Sequence, residues 1–145
     1  MTCDSNLNPH QPVQLDIYLN YPGTCRDAFA FYEQHLGGKL LALSTHGETP
    51  GSRVPPDFAD KVLHARLQLG GTVIRGADIP NAESMRSAYL TLAVDSAEEA
   101  ERVYTLLSEG GQVFMPMEET FFASRFAMLR DRFGTSWMLL HERDA

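Results

Sequence analysis

The chain has 145 residues, 43% hydrophobic and 21% charged, enough for one domain with its own core. Its formal net charge of -7 argues against nucleic acid as a partner, because an acidic surface repels phosphates. No apolar run approaches the roughly 20 residues that cross a bilayer, so no membrane partner is expected either.

Residues 1–12 are polar and end in proline. With no basic stretch leading into an apolar one, they read as a loose arm rather than a signal peptide. Cys3 and Cys25 belong to no CxxC or Cys/His cluster, which predicts two reduced thiols and a cytoplasmic protein. Residues 14–21, QLDIYLNY, alternate as a strand does. Leu15, Ile17, Leu19 and Tyr21 take one face, and Asp16, Tyr18 and Asn20 the other. Residues 26–38 follow as a helix, with Ala28, Phe31, Tyr32 and His35 on one stripe and Gly37 placed to stop it. Cys25 precedes this helix, whose dipole could activate a thiol, although a small apolar filler is the favoured reading.

Three strand-like runs come next, residues 39–45, 62–69 and 72–78. Gly70-Gly71 makes a hairpin turn between the last two. The Gly- and Pro-rich residues 46–58 read as a loop. Within residues 62–69, Leu63, Ala65, Leu67 and Leu69 form an apolar face. Val62, His64, Arg66 and Gln68 form the opposite one, toward a concave side or solvent.

After a linker at residues 80–86 the order repeats. A strand at residues 87–94 leads to a helix at residues 96–111, carrying Ala100, Val103, Tyr104 and Leu107 on one stripe. Ser96 is its N-cap, and Glu98 and Glu99 lie in its first turn, where the dipole favours them. Strands at residues 112–118, 125–131 and 135–142 follow, the last two joined by a turn containing Gly134. The helices superpose, Ala28 on Ala100 and Tyr32 on Tyr104, and both end in a glycine pair, Gly37-Gly38 and Gly110-Gly111. The prediction is one α+β domain over residues 13–145, built from two tandem βαβββ modules, residues 13–79 and 87–142. Each sheet can bury one face under its helix, and two paired sheets would curl toward a shared concave cavity.

Two segments, YLNYPGTCRDAFAFYEQHLGG and SEGGQVFMPMEETFFASRFAMLRDRFGTSWMLL, resemble the vicinal oxygen chelate (glyoxalase/bleomycin-resistance) superfamily, and the second resembles its PhnB-like branch. The carrying features are GGxVxMP, the pair Phe121-Phe122, and RFxMLxDRFGxxWM. The resemblance spans residues 14–142. It implies a homodimer and a cavity lined by both modules. It also implies a divalent metal held by one side chain from the first and last strand of each module, to polarise vicinal oxygens. Carried over strand by strand, those positions fall at Asp16 (Ile17 without an inserted residue), Arg75, Tyr89 and Met138. Only Asp16 is a good ligand, since a guanidinium offers no lone pair and a thioether is soft. The superfamily's metal site is therefore expected to be absent and no cofactor is predicted. A displaced divalent metal on Asp16 and His64 is the lesser alternative.

Asp16, Tyr18, Asn20, His64, Arg66, Gln68 and Arg75 could share one polar surface. Functionally, His64 would be the candidate acid or base and the arginines would hold an anionic or oxygen-rich ligand. Structurally, the same residues would form a hydrogen-bonded network, such as an Asp16–Arg75 pair, in a wet groove. The second module adds a soft lining of Met115, Met117, Met128 and Met138, with Phe121, Phe122 and Phe126. Ordinary packing is favoured for Met128 and Phe126, and a pocket lid or dimer contact for Phe121 and Phe122. Glu118 and Glu119 read as solvated. Phosphate-cradling loops, GxSxG, HExxH and Rossmann fingerprints are absent from the sequence. The expected function is a small-molecule binder using the inter-module cavity without the superfamily's metal. Two alternatives stand beside it: a metal-dependent lyase, isomerase or thiol transferase, and a ligand-free dimeric interaction protein.

Overall fold

The alternating and helical segments of the sequence fold into two similar halves. The computed structural model describes residues 13–48, 51 and 54–143; the arm over residues 1–12, with Cys3, and part of the loop at residues 46–58 lie outside the described residues. Module one comprises β1 (Ile17–Tyr21), α1 (Cys25–Leu36), β2 (Lys39–Thr45), β3 (Val62–Leu69) and β4 (Thr72–Asp78). Module two comprises β5 (Leu90–Ala93), α2 (Ala97–Ser108), β6 (Gln112–Glu118), β7 (Ala123–Arg130) and β8 (Ser136–Glu142). The strand orders, β1-β4-β3-β2 and β5-β8-β7-β6, are the same in both. In each module the first strand pairs in parallel with the last, and the other pairs are antiparallel.

The strands β1 and β5 begin later than alternation suggests. The parallel ladders start at Ile17↔Ile74 and Leu90↔Trp137, and Leu15, just before β1, is 96% exposed. Alternation alone cannot show where the partner strand runs out. On α1 the buried residues are Cys25, Ala28, Phe29 and Tyr32, so Phe29 takes the place expected for Phe31. Phe31 instead stacks on His35, with centroids 4.5 Å apart, and on Phe133 of module two at 5.8 Å. The helix is covered on two sides, by its own sheet and by the other module, and its apolar arc is wider than one stripe. Val62 is also buried, although it alternates with His64. The 3-10 turn His46–Glu48 bonds back to Ala59 and Lys61 and runs beside the start of β3.

The helix ends follow capping rules with one substitution of device. Ser96 Oγ accepts from Glu99 N at 3.0 Å, and Gly37 closes α1 in the left-handed region at φ 74°. At the start of α1 Thr24 makes no side-chain cap bond, and the free N–H groups find an acceptor from another strand. Asp78, at the end of β4, accepts from Gly23 N at 3.1 Å and Cys25 N at 2.9 Å, and from Val62 N at 2.9 Å. A buried carboxylate at a helix N-terminus is stabilised by the dipole.

Residues of both modules form one hydrophobic core, which holds Phe29 and Tyr32 of α1 together with Val103, Leu107, Trp137 and Leu139, and Tyr32 packs edge-on against Trp137 at 5.4 Å. Cys25 is wholly inside it. Burial, and secondarily the Asp78 carboxylate, push its thiol up to about 12. The helix-start position therefore does not activate it. Cys25 should resist a thiol reagent in the folded protein and label only on unfolding, as peptide mapping of native and denatured samples would show. Fast labelling of native Cys25 would contradict this packing.

Candidate functional site

Alternation leaves each sheet with a second face, turned away from its helix. In module one, Arg66 on β3 lies directly opposite Arg75 on β4, and Arg75 lies beside Tyr18 on β1. His64 lies two residues before Arg66 and opposite Ser44 of β2. Its ring centroid is 6.3 Å from that of Tyr18. Tyr18, His64, Arg66 and Arg75 are thus gathered on one surface, as expected. His64 and both arginines are half-buried, while Tyr18 is 53% exposed.

Asp16 does not complete a pair there. It precedes β1, is exposed, and is absent from the ion pairs of the described residues, which engage Arg102, Arg125 and Arg143. The expected Asp16–Arg75 pair is not formed, because the strand begins only at Ile17. Asn20, two residues beyond Tyr18 on β1, also lines crevices at the junction of the modules. One of these, about 460 Å³, is also lined by Thr24, Ser84, Gly110, Arg130 and Gly134. Tyr89 likewise precedes its strand and lines a separate crevice of about 300 Å³ with Ile17, Ile74 and Trp137.

In module two, Met115 lies opposite Met128, Met128 opposite Met138, and Met138 beside Thr91. These residues form an apolar ladder across the sheet. Phe114 carries no signal in the alternation of β6 that marks it as part of this face. A bulge between Val113 and Met115 shifts the register and leaves its ring edge-on to Tyr89 at 6.3 Å and under the Arg130 guanidinium at 5.2 Å. Phe121 is 89% exposed on the connection before β7. It stacks edge-on against Phe122, and Phe122 against Phe126, both at 5.2 Å. Phe126 is buried under that cap. Glu118 and Glu119 are exposed, and Glu119 pairs with Arg143 at 2.6 Å.

The register revises the residues carried over for a metal. Beside Arg75 and Met138, the first strands hold Tyr18 and Thr91, rather than Asp16 and Tyr89. A guanidinium, a thioether and two neutral hydroxyls do not make a donor set for a divalent ion. Among the described residues no three His, Cys, Asp or Glu side chains come together.

The polar groups that sequence reasoning missed are buried at the junction of the modules. Asp131, in the turn between β7 and β8, accepts from Phe133 N at 2.9 Å and Thr135 N at 3.0 Å through Oδ1. Through Oδ2 it accepts from Tyr32 Oη at 2.5 Å and Trp137 Nε1 at 2.8 Å. Thr135 Oγ1 also lies 3.0 Å from Tyr32 Oη and from Tyr21 Oη. Burial pushes both phenols above the usual tyrosine range. Met85 of the linker is clamped to the same turn, its N donating to Gly134 O and its O accepting from Arg130 Nε and Ser136 Oγ. Ser124 Oγ lies 2.6 Å from His141 Nδ1, but its hydroxyl also reaches His141 O at 3.2 Å, and the pair serves the strand ends.

Comparison with known proteins is consistent with this architecture. The model of the Glyoxalase/Bleomycin resistance protein/Dioxygenase superfamily matches residues 15–139. Protein YjdN of Escherichia coli (strain K12) is 34% identical over 141 residues, covering 88% of this chain and 94% of that protein. The crystal structure of protein PA1353 from Pseudomonas aeruginosa is 43% identical, with a TM-score of 0.81, and covers 92% of this chain and 100% of that one. The PhnB protein from Bacillus cereus shares the fold at 22% identity, with a TM-score of 0.75 over 89% of this chain and 99% of its own.

Proposed function

We propose that this chain, which belongs to the Glyoxalase/Bleomycin resistance protein/Dioxygenase superfamily, is a PhnB-like binder of a small organic molecule that uses no divalent metal. It acts as a homodimer, in which a second copy supplies the wall that encloses each ligand. The observation that carries this reading is the division of faces. The helix-side faces of both sheets go into one common core, and the opposite faces stay open. Tyr18, Phe114 and Met115 are 53%, 40% and 38% exposed on them. Half-exposed rings and methionines on open sheet faces suit an adaptable ligand and a covering partner. His64 is the candidate proton-transfer group on the polar face, and Phe121 and Phe122 are the candidate lid.

Light scattering and thermal melts test this together. A dimer mass is expected, with stabilisation by at least one class in a panel of apolar and anionic small molecules. At a hundredfold excess over Kd the gain is about 2.7 kcal/mol, or roughly 5–10 °C for a chain of this size. A monomer that no ligand stabilises would sink the reading. The donor set further predicts that manganese, nickel and zinc give no saturable rise in melting temperature. One metal per purified chain with a raised melting temperature would restore the metal-dependent alternative.

A further inference from the structure

Four arginines are half-buried among the described residues: Arg66, Arg75, Arg125 and Arg130. Arg125 donates to Glu101 at 2.8 Å, and Arg130 donates to Met85 O at 3.0 Å and lies over Phe114. Arg66 and Arg75 have no such partner. The ion pairs and side-chain hydrogen bonds of the described residues pass them by, and Arg66 Nε is shut off from solvent with nothing to donate to. These are the two that stand directly opposite each other across an antiparallel pair, where Cβ atoms are about 5 Å apart and like charges repel. The neighbouring strand positions on the same face, Asn20, Ala42, Ser44, Gln68 and Val73, hold no carboxylate. The chain as a whole carries a net charge of -7, so two unpaired, partly desolvated guanidiniums here are not part of a general basic surface.

We infer that Arg66 and Arg75 form a clamp for the oxyanion head, carboxylate or phosphoryl, of the ligand. This rests on the small-molecule reading above and names the ligand's chemical class. Two planar guanidiniums side by side can each donate two N–H groups to one oxyanion. The anion relieves their repulsion and gives Arg66 Nε an acceptor. The Tyr18 hydroxyl and the His64 ring flank the clamp and add hydrogen-bonding groups at its rim.

The test uses the full chain at low ionic strength in a zwitterionic buffer, with inorganic phosphate, methylphosphonate and acetate as probes. Thermal melts and titration calorimetry give the readout. Wild type should show saturable binding and a raised melting temperature. Arg66→Gln and Arg75→Gln should each weaken binding by about tenfold or more, while Arg86→Gln, at an exposed arginine, should leave it unchanged. Without anions, Arg75→Gln should melt at or above the wild-type temperature, because it removes a repulsion; a purely structural arginine would show a loss. Response to phosphate and methylphosphonate alone assigns a phosphoryl head, and response to acetate alone a carboxylate. Anion responses that survive in both glutamine variants, or no anion response at all, overturn the clamp. In either of those cases, stabilisation by neutral apolar ligands would leave the small-molecule reading standing, and its absence would remove both.

Discussion

Replacing Asp131 with alanine is expected to cost about 4 kcal/mol or more of folding stability, since each buried donor left without an acceptor costs about 1–3 kcal/mol. For a chain of this size that lowers the melting temperature by roughly 10 °C. The reason is the number of donors orphaned at once. Two backbone N–H groups, the Tyr32 hydroxyl and the Trp137 indole all converge on this one side chain, which is 5% exposed. Tyr32→Phe should cost far less, about 1 kcal/mol, because Asp131 keeps its other three donors. Thermal and urea melts of the two variants check the order, and near-equal losses would refute the convergence account. The phenols add a pH signature. Burial, the largest cause, raises Tyr21 and Tyr32 above the ordinary value of 10.0. The folded state therefore holds these protons more tightly than the unfolded one. Their contribution is complete below about pH 10 and is lost as pH rises beyond it. Cys25, raised from 9.0 to about 12, begins the same kind of loss earlier, from about pH 9, and completes it near pH 12.

Gly111→Ala should be the most damaging glycine substitution, at about 3 kcal/mol or more. A Cβ at Gly111 would run into the carbonyl oxygen of Arg130 and come within 3.0 Å of Asp131 Cα. Backbone cannot rotate out of the way. At Gly76 the added Cβ would meet the Phe29 ring at 2.6 Å and Cys25 Sγ at 3.2 Å. Those are side chains that can yield by small shifts, and the cost is about 1–3 kcal/mol. Denaturant midpoints for the two variants give the ranking, and a Gly111→Ala protein as stable as wild type would show that the β6 entry is looser than it looks. By position alone, both glycines of each pair are helix stops. Gly110, at φ 74°, fits that role, whereas Gly111 is there for its close approach to the β7–β8 turn.

The duplication was legible because helical stripes and glycine stops recur at matching places, and Ala100, Val103 and Leu107 are buried as their stripe predicts. The hairpin at Gly70-Gly71 even determines that Arg66 faces Arg75, since a two-residue turn fixes every pairing behind it. Other parts were hidden for physical reasons. Where β1 starts depends on β4, so Asp16 was placed on a strand that begins at Ile17. Phe29 and Phe31 are both apolar, and the way α1 sits on its own sheet, with Phe29 against Gly76 and Tyr21, decides which is buried deeper. The bond from Tyr32 to Asp131 joins residues far apart in sequence, and nothing local to either announces the other.

The pairing of first strand with last carries a consequence for how the chain is made. In neither sheet can the first strand pair until the final strand has been synthesised, so each module closes a long loop before it gains that ladder. Module one can close once Asp78 has left the ribosome. Even then Phe31 and Tyr32 face solvent until residues 131–137 emerge. A nascent chain halted at the linker would therefore expose apolar side chains that the second module covers, and the interval before β8 arrives is when this protein is most exposed to misassembly.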